Sequence, residues 1–130
     1  MQISTKGRYG LRALCLLALN YNKASFSVAE ISKAEKIDRE YLEQIFNKLK
    51  KAKVIKAFRG PKGGYVLARS PKKINIAQIM SAVGEKLELT DCFNKSCQSK
   101  SCLTKNFWKN FDKKVMENFK KTTLADLIKG

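Results

Sequence analysis

Three features of the sequence predict a mainly α-helical protein with a small β-hairpin: an amphipathic helix pair, a basic glycine-rich turn between two short extended runs directly after it, and a long helical periodicity near the end. Two helices followed by such a hairpin form the pattern of a winged helix-turn-helix. The late helix then reads as an appended dimerisation helix. With 44% hydrophobic residues in 130, the chain can bury a core without disulfide support.

Leu11, Leu14, Cys15, Ala18 and Leu19 recur at the spacing of a buried stripe, which predicts a first helix from about Gly7 to Asn20 with Cys15 acting as a small hydrophobe. The basic Lys6, Arg8 and Arg12 before the apolar run Ala13 to Leu19 superficially suggest a secretion signal. That run is too short, lacks a small-residue cleavage site and continues into Asn20, Tyr21, Asn22 and Lys23. Nor is any segment long enough to span a bilayer, so the expected location is the cytoplasm, where thiols stay reduced.

Ser27 with Glu30 three residues later has capping-box spacing and starts a second helix that ends near Glu35. Lys36, Ile37 and Asp38 make the turn, and Asp38 caps a third helix whose inward stripe is Leu42, Ile45, Phe46 and Leu49. Glu40, Gln44, Asn47 and Lys51 point directly away from that stripe, flanked by Arg39, Glu43, Lys48 and Lys50. Val54 to Phe58 and Tyr65 to Ala68 read as strands around the wing turn, and Pro71 ends the hairpin. Asn75 caps a helix from Ile76 to Val83, stopped by Gly84.

Residues 85–105 are polar, lack periodicity and hold Cys92, Cys97 and Cys102. A helix from about Asn106 to Lys121 carries Trp108, Phe111, Val115 and Phe119 along one side. The small domain offers few surfaces to cover these aromatics, which predicts a homodimer interface. Thr122 or Thr123 caps a last short helix through Leu127. The expected organisation is therefore a DNA-binding winged helix over 1–84, a cysteine loop over 85–105, and a dimerisation helix with C-terminal segment over 106–130.

A formal charge of +16, from 27 basic and 11 acidic residues, predicts a polyanionic partner, with double-stranded nucleic acid ahead of an anionic membrane surface. Residues 54–73 contain Lys56, Arg59, Lys62, Arg69, Lys72 and Lys73 and no acid. On the third helix, Glu40, Glu43, Gln44 and Asn47 carry donors and acceptors suited to base edges: Gln and Asn can pair with adenine, and a carboxylate can accept from cytosine N4. Acids there weaken general attraction to phosphates, so they favour discrimination. Lys48, Lys50, Lys51, Lys53 and Lys62 suit phosphates, and Arg59 suits insertion into a groove at the wing.

Cys92, Cys97 and Cys102 form C-x4-C-x4-C. Three evenly spaced thiols can close around one metal centre, and soft thiolates suit an iron-sulfur cluster, zinc or copper(I). Lys95, Lys100 and Lys105 would favour the thiolate forms. Without histidine, a nucleotide-binding glycine loop or a nucleophile-base pair, the sequence argues against an enzyme.

Four motifs occur in order along nearly the whole chain: Thr5-Lys6-Gly7-Arg8-Tyr9, Tyr41-Leu42-Glu43-Gln44-Ile45-Phe46, Arg59-Gly60-Pro61-Lys62-Gly63-Gly64-Tyr65 and Thr123-Leu124-Ala125-Asp126-Leu127. Through them the sequence resembles the bacterial winged-helix transcriptional regulators typified by IscR, NsrR and CymR, and most of all the iron-sulfur assembly regulators. The resemblance implies a homodimer that reads an operator. Glu43 and Gln44 match the family's base-contacting positions, and Arg59 matches its wing arginine. Asp38 and Glu40 depart from the small hydroxyl residues common in IscR, so operator sequence does not carry over.

The resemblance also implies an iron-sulfur cluster on the three cysteines, 2Fe-2S ahead of 4Fe-4S, with iron-sulfur assembly proteins as further partners. Each cysteine gap is one residue shorter here than in IscR or NsrR. Lys105 stands where IscR has its histidine ligand, and Arg8 stands where NsrR-type proteins take a carboxylate. The fourth ligand is left open among Cys15 of the partner subunit, Asp91, Asn94, Ser96, Thr104, Asn106, and an exogenous thiol or water. Two further readings stand beside this one: a thiol-redox or zinc-responsive repressor that keeps DNA binding, and, from another class, a cysteine-metabolism regulator acting through a partner enzyme without binding DNA, against which as a sole activity the intact wing argues.

Overall fold

A computed structural model describes residues 3–61, 63–88 and 101–129 of the chain. Its helices are α1 (Thr5–Leu19), α2 (Val28–Glu35), α3 (Arg39–Lys51), α4 (Ile76–Ala82), α5 (Lys105–Lys121) and α6 (Leu124–Ile128). The antiparallel hairpin of β1 (Ile55–Phe58) and β2 (Gly64–Leu67) follows α3, and one 3-10 turn spans Pro71–Lys73. A winged helix-turn-helix with a long C-terminal helix is thus the fold. No helix among the described residues is long and apolar enough to cross a membrane.

One core joins the first four helices. Leu14 and Leu17 of α1 pack with Ile31 of α2, the α3 stripe Leu42, Ile45, Phe46 and Leu49, and Ile79 of α4. Helix α1 begins two residues earlier than its apolar periodicity suggests, because its first turn is capped from a distant segment. The backbone N–H of Ser4 donates to the Glu85 carboxylate at 3.0 Å, and the Ser4 hydroxyl donates to the same oxygen. A carboxylate at the positive end of a helix also suits the helix dipole.

The helix-turn-helix is built from local signals. Ser27 and Glu30 form the reciprocal capping box at the start of α2. Lys36 ends that helix in the left-handed region, with φ of 56°, and Ile37 is buried beside it. Asp38 then accepts the backbone N–H of Tyr41 at 3.0 Å and caps α3. Such a cap stabilises a helix by roughly 1 kcal/mol.

The wing pairs Ile55 with Leu67 and Phe58 with Gly64, so Gly64 belongs to the ladder and not to the turn. Gly60 takes φ of +129°, which glycine adopts without a side-chain penalty. Beyond the hairpin, Phe26 and Tyr65 exchange backbone hydrogen bonds of 3.1 and 2.7 Å. This contact brings Gly64 so close to Phe26 that a Cβ at residue 64 would lie 2.4 Å from the Phe26 carbonyl carbon.

The C-terminal segment returns to the middle of the chain. The Ile76 N–H donates to the Thr122 carbonyl and the Leu124 N–H to the Ile74 carbonyl, both at 2.9 Å, around an isolated bridge between Asn75 and Thr123. Thr123, not Thr122, caps α6, in a reciprocal box with Asp126, and Leu124 is wholly buried. Helix α5 is far less engaged. Phe119 reaches the core, but Phe107 and Trp108 remain 60% and 38% exposed and stack edge-on at 4.8 Å.

Gly64→Ala is expected to lower stability by about 2 kcal/mol or more, because backbone must move away from the new methyl group; thermal or urea unfolding measures it. The Thr123 backbone and hydroxyl hydrogen bonds hold the Asp126 carboxyl below its ordinary range. Its stabilising effect is therefore present above an unfolded value of about 4 and is lost as pH falls through the folded value. Asp126→Asn should unfold at lower urea than the parent at pH 7, with the difference shrinking towards pH 3.

Candidate nucleic-acid interface

Helix α3 divides cleanly into two faces. Leu42, Ile45, Phe46 and Leu49 are buried, while Arg39, Glu40, Glu43, Gln44, Asn47, Lys48 and Lys51 are all exposed. Burial of the apolar stripe fixes which side chains the helix presents outward. Its first turn is braced by α1: the hydroxyls of Thr5 and Tyr41 lie 2.8 Å apart, and the Tyr9 ring meets Tyr41 edge-on. The wing meets the other side of the same core, where the Tyr65 ring packs edge-on against Phe46 at 5.1 Å.

Arg39 and Glu43 form an i,i+4 ion pair of 3.3 Å, with side chains 65% and 50% exposed. At that exposure the pair is worth well under 1 kcal/mol in stability. Its electrical effect is more useful, since it offsets one of the carboxylates that would repel DNA phosphates. Arg59 is exposed at the start of the wing turn and makes no ion pair among the described residues; Lys62 lies outside them.

Two arginines are structural braces that local sequence signals do not reveal. Arg69 donates to the carbonyls of Lys53 at 2.9 Å and Lys73 at 3.3 Å, and so ties the exit of the wing to the end of α3. Arg12 lies over the Tyr9 ring, donates to the Glu35 carbonyl and pairs with the Glu35 carboxylate at 3.4 Å, at the C-terminus of α2. Positive charge at that helix end is favoured by the dipole.

Of the three loop cysteines, Cys92 and Cys97 lie outside the described residues, as do Asp91, Asn94 and Ser96. Cys102 is exposed just before the first turn of α5, with its Sγ 3.2 Å from the Thr104 hydroxyl. Hydrogen bonds from the Thr104 side chain and backbone, then from the Lys105 backbone, together with the Lys105 charge, hold its thiol below the ordinary range. An exposed thiol whose surroundings favour its ionised form suits a ligand of an iron-sulfur or other soft-metal centre. No group of three metal-binding side chains assembles among the described residues. Cys15 is different: burial, then the Glu35 charge, pushes its thiol up, as suits a half-buried packing residue.

The family profile Rrf2, described as iron-dependent transcriptional regulator, matches residues 3–130. The HTH-type transcriptional regulator IscR of Sodalis glossinidius is 36% identical over 130 residues, covering 98% of this chain and 79% of that protein. CymR, the global cysteine regulator of B. subtilis, superposes with a TM-score of 0.88 at 29% identity, over 99% of this chain and 97% of that one. T. potens IscR superposes with a TM-score of 0.82 at 33% identity, over 99% and 87% of the two chains.

Removing the hydroxyl that braces the first turn of α3 tests its importance. Tyr41→Phe and Thr5→Val should each lower unfolding stability by about 1 kcal/mol. The double variant should lose less than the sum, because both changes delete the same hydrogen bond.

Proposed function

The chain belongs to the Rrf2 family of transcriptional regulators, and from that premise we propose that two copies pair through α5 to set two recognition helices and two wings on one double-stranded operator. It is a DNA-binding regulator and not an enzyme. The observation that carries the detailed reading is the outward face of α3, where Arg39, Glu40, Glu43, Gln44 and Asn47 stand opposite a completely buried stripe. These side chains read base edges, with Lys48 and Lys51 on phosphates and Arg59 and Lys62 supplying the wing contacts. The exposed Phe107 and Trp108 support pairing through α5, because an isolated chain would leave them in water.

Cys92, Cys97 and Cys102 are the proposed ligands of an iron-sulfur cluster, with 2Fe-2S favoured and 4Fe-4S also compatible with three thiolates and one further ligand. The similarity to IscR and the thiolate bias of Cys102 support this assignment. A bound cluster supplies ligation sensitive to iron, oxygen or nitric oxide. Cys102 adjoins the start of α5, so its bonding state bears on the helix proposed to join the subunits. The likeness to CymR favours a second reading, in which the same cysteines answer to thiol chemistry, zinc or a cysteine-metabolism enzyme. Both readings place the protein in the reducing cytoplasm, and the first makes iron-sulfur assembly proteins its suppliers.

An anaerobic absorption spectrum with iron and sulfide measured on the same sample separates the readings. Visible charge-transfer bands with matched iron and sulfide are expected; a colourless, iron-free protein after anaerobic reconstitution would shift the assignment to the second. Replacing all three cysteines by serine should leave a folded dimer that no longer changes its DNA affinity with cofactor. On a duplex selected from random sequence, Gln44→Ala should alter base preference, whereas Lys48→Gln should weaken all sequences alike.

A further inference from the structure

An open groove of about 970 Å³ runs between the C-terminal half of α3, the outer face of α4 and the last turns of α5. Lys48 and Lys51 of α3, Arg69 beyond the wing and Lys120 of α5 line it, with Gln78 and Ser81 of α4 adding uncharged polar groups. No acidic residue lines it among the described residues. The three lysines make no ion pair among the described residues, and Arg69 is fixed in place by the Lys53 and Lys73 carbonyls. Four like charges gathered from three separate parts of the chain repel one another, and an anion in the groove would relieve that repulsion.

We propose that this groove is a track for the phosphate backbone of the duplex that α3 reads, so that Lys120 of the long C-terminal helix is itself a DNA contact. The inference rests on the DNA-reading role proposed for α3. Two observations favour a phosphodiester strand over a small anion. The groove is open to solvent, and Lys48 and Lys51 of the exposed flank of α3 belong to its lining. An extended polyanion can engage cations contributed by three separate parts of the chain, with Asn75, Gln78 and Ser81 adding uncharged polar partners. Helix α5 then takes part in DNA positioning as well as in the proposed pairing.

The test is the salt dependence of binding to a duplex selected from random sequence, using the full-length parent, Lys120→Gln and Lys121→Gln. Both lysines lie in the last turn of α5 and favour its dipole equally, but Lys121 does not line the groove. Loss of one phosphate contact lowers the slope of log K against log salt by about 0.9 per subunit. Lys120→Gln should show that loss with unchanged base preference and unfolding midpoint, while Lys121→Gln keeps the parental slope. Equal slopes for all three proteins would overturn the proposal while leaving the α3 reading intact. So would a melting-temperature rise with inorganic phosphate that vanishes in Lys120→Gln while the DNA slope stays parental, since the groove would then hold a small anion. A parent that selects no duplex would remove the α3 reading, and this proposal with it.

Discussion

The anchoring of the wing to the helical core begins with one reciprocal backbone pair. Phe26 precedes α2, and Tyr65 sits in β2; by exchanging hydrogen bonds they turn a short two-stranded ribbon into part of the helical core. A hairpin of four-residue strands would be marginal alone. The same tyrosine places its ring against Phe46, so a single residue belongs to both the ladder and the α3 packing. The close approach is possible because residue 64 has no side chain. A wing displaced here would still be basic, but its charges would no longer share a fixed frame with α3.

The positive excess performs two physically different tasks. Arg12 and Arg69 hold backbone carbonyls at the end of α2, after α3 and after the wing, and Arg69 does so while also lining the groove. Their planar, multiply donating heads suit that work. The exposed lysines in the last turns of α3 and α5 suit the local helix dipoles and leave their charges at the surface. Net charge alone does not separate these groups; the hydrogen-bond geometry does.

Much of the fold was legible because its boundaries are set by neighbours in sequence. Ser27 with Glu30, Asp38 with Tyr41 and Asn75 with Gln78 act within three residues, and each caps the expected helix. The α3 stripe followed from a strong 3.6-residue period. The early start of α1 was hidden because its cap, Glu85, lies 81 positions from Ser4. The brace roles of Arg12 and Arg69, and the placing of Lys120 and Lys48 on one groove, were hidden for the same reason: each is a product of tertiary packing with no local signature. The cysteine spacing was plain in the sequence, yet Cys92 and Cys97 fall outside the described residues, and only the surroundings of Cys102 add to the reading.

The seam between Asn75 and Thr123 also bears on the order in which the core closes. Leu124 reaches the core from a segment distant in sequence from its partners, and the Ile74 and Thr122 carbonyls are satisfied only when that return is made. Helix caps with partners three residues away close a short loop, whereas this seam must close a long one. The seam is thus a contact exposed to delay in folding, and until it forms one side of the core faces water.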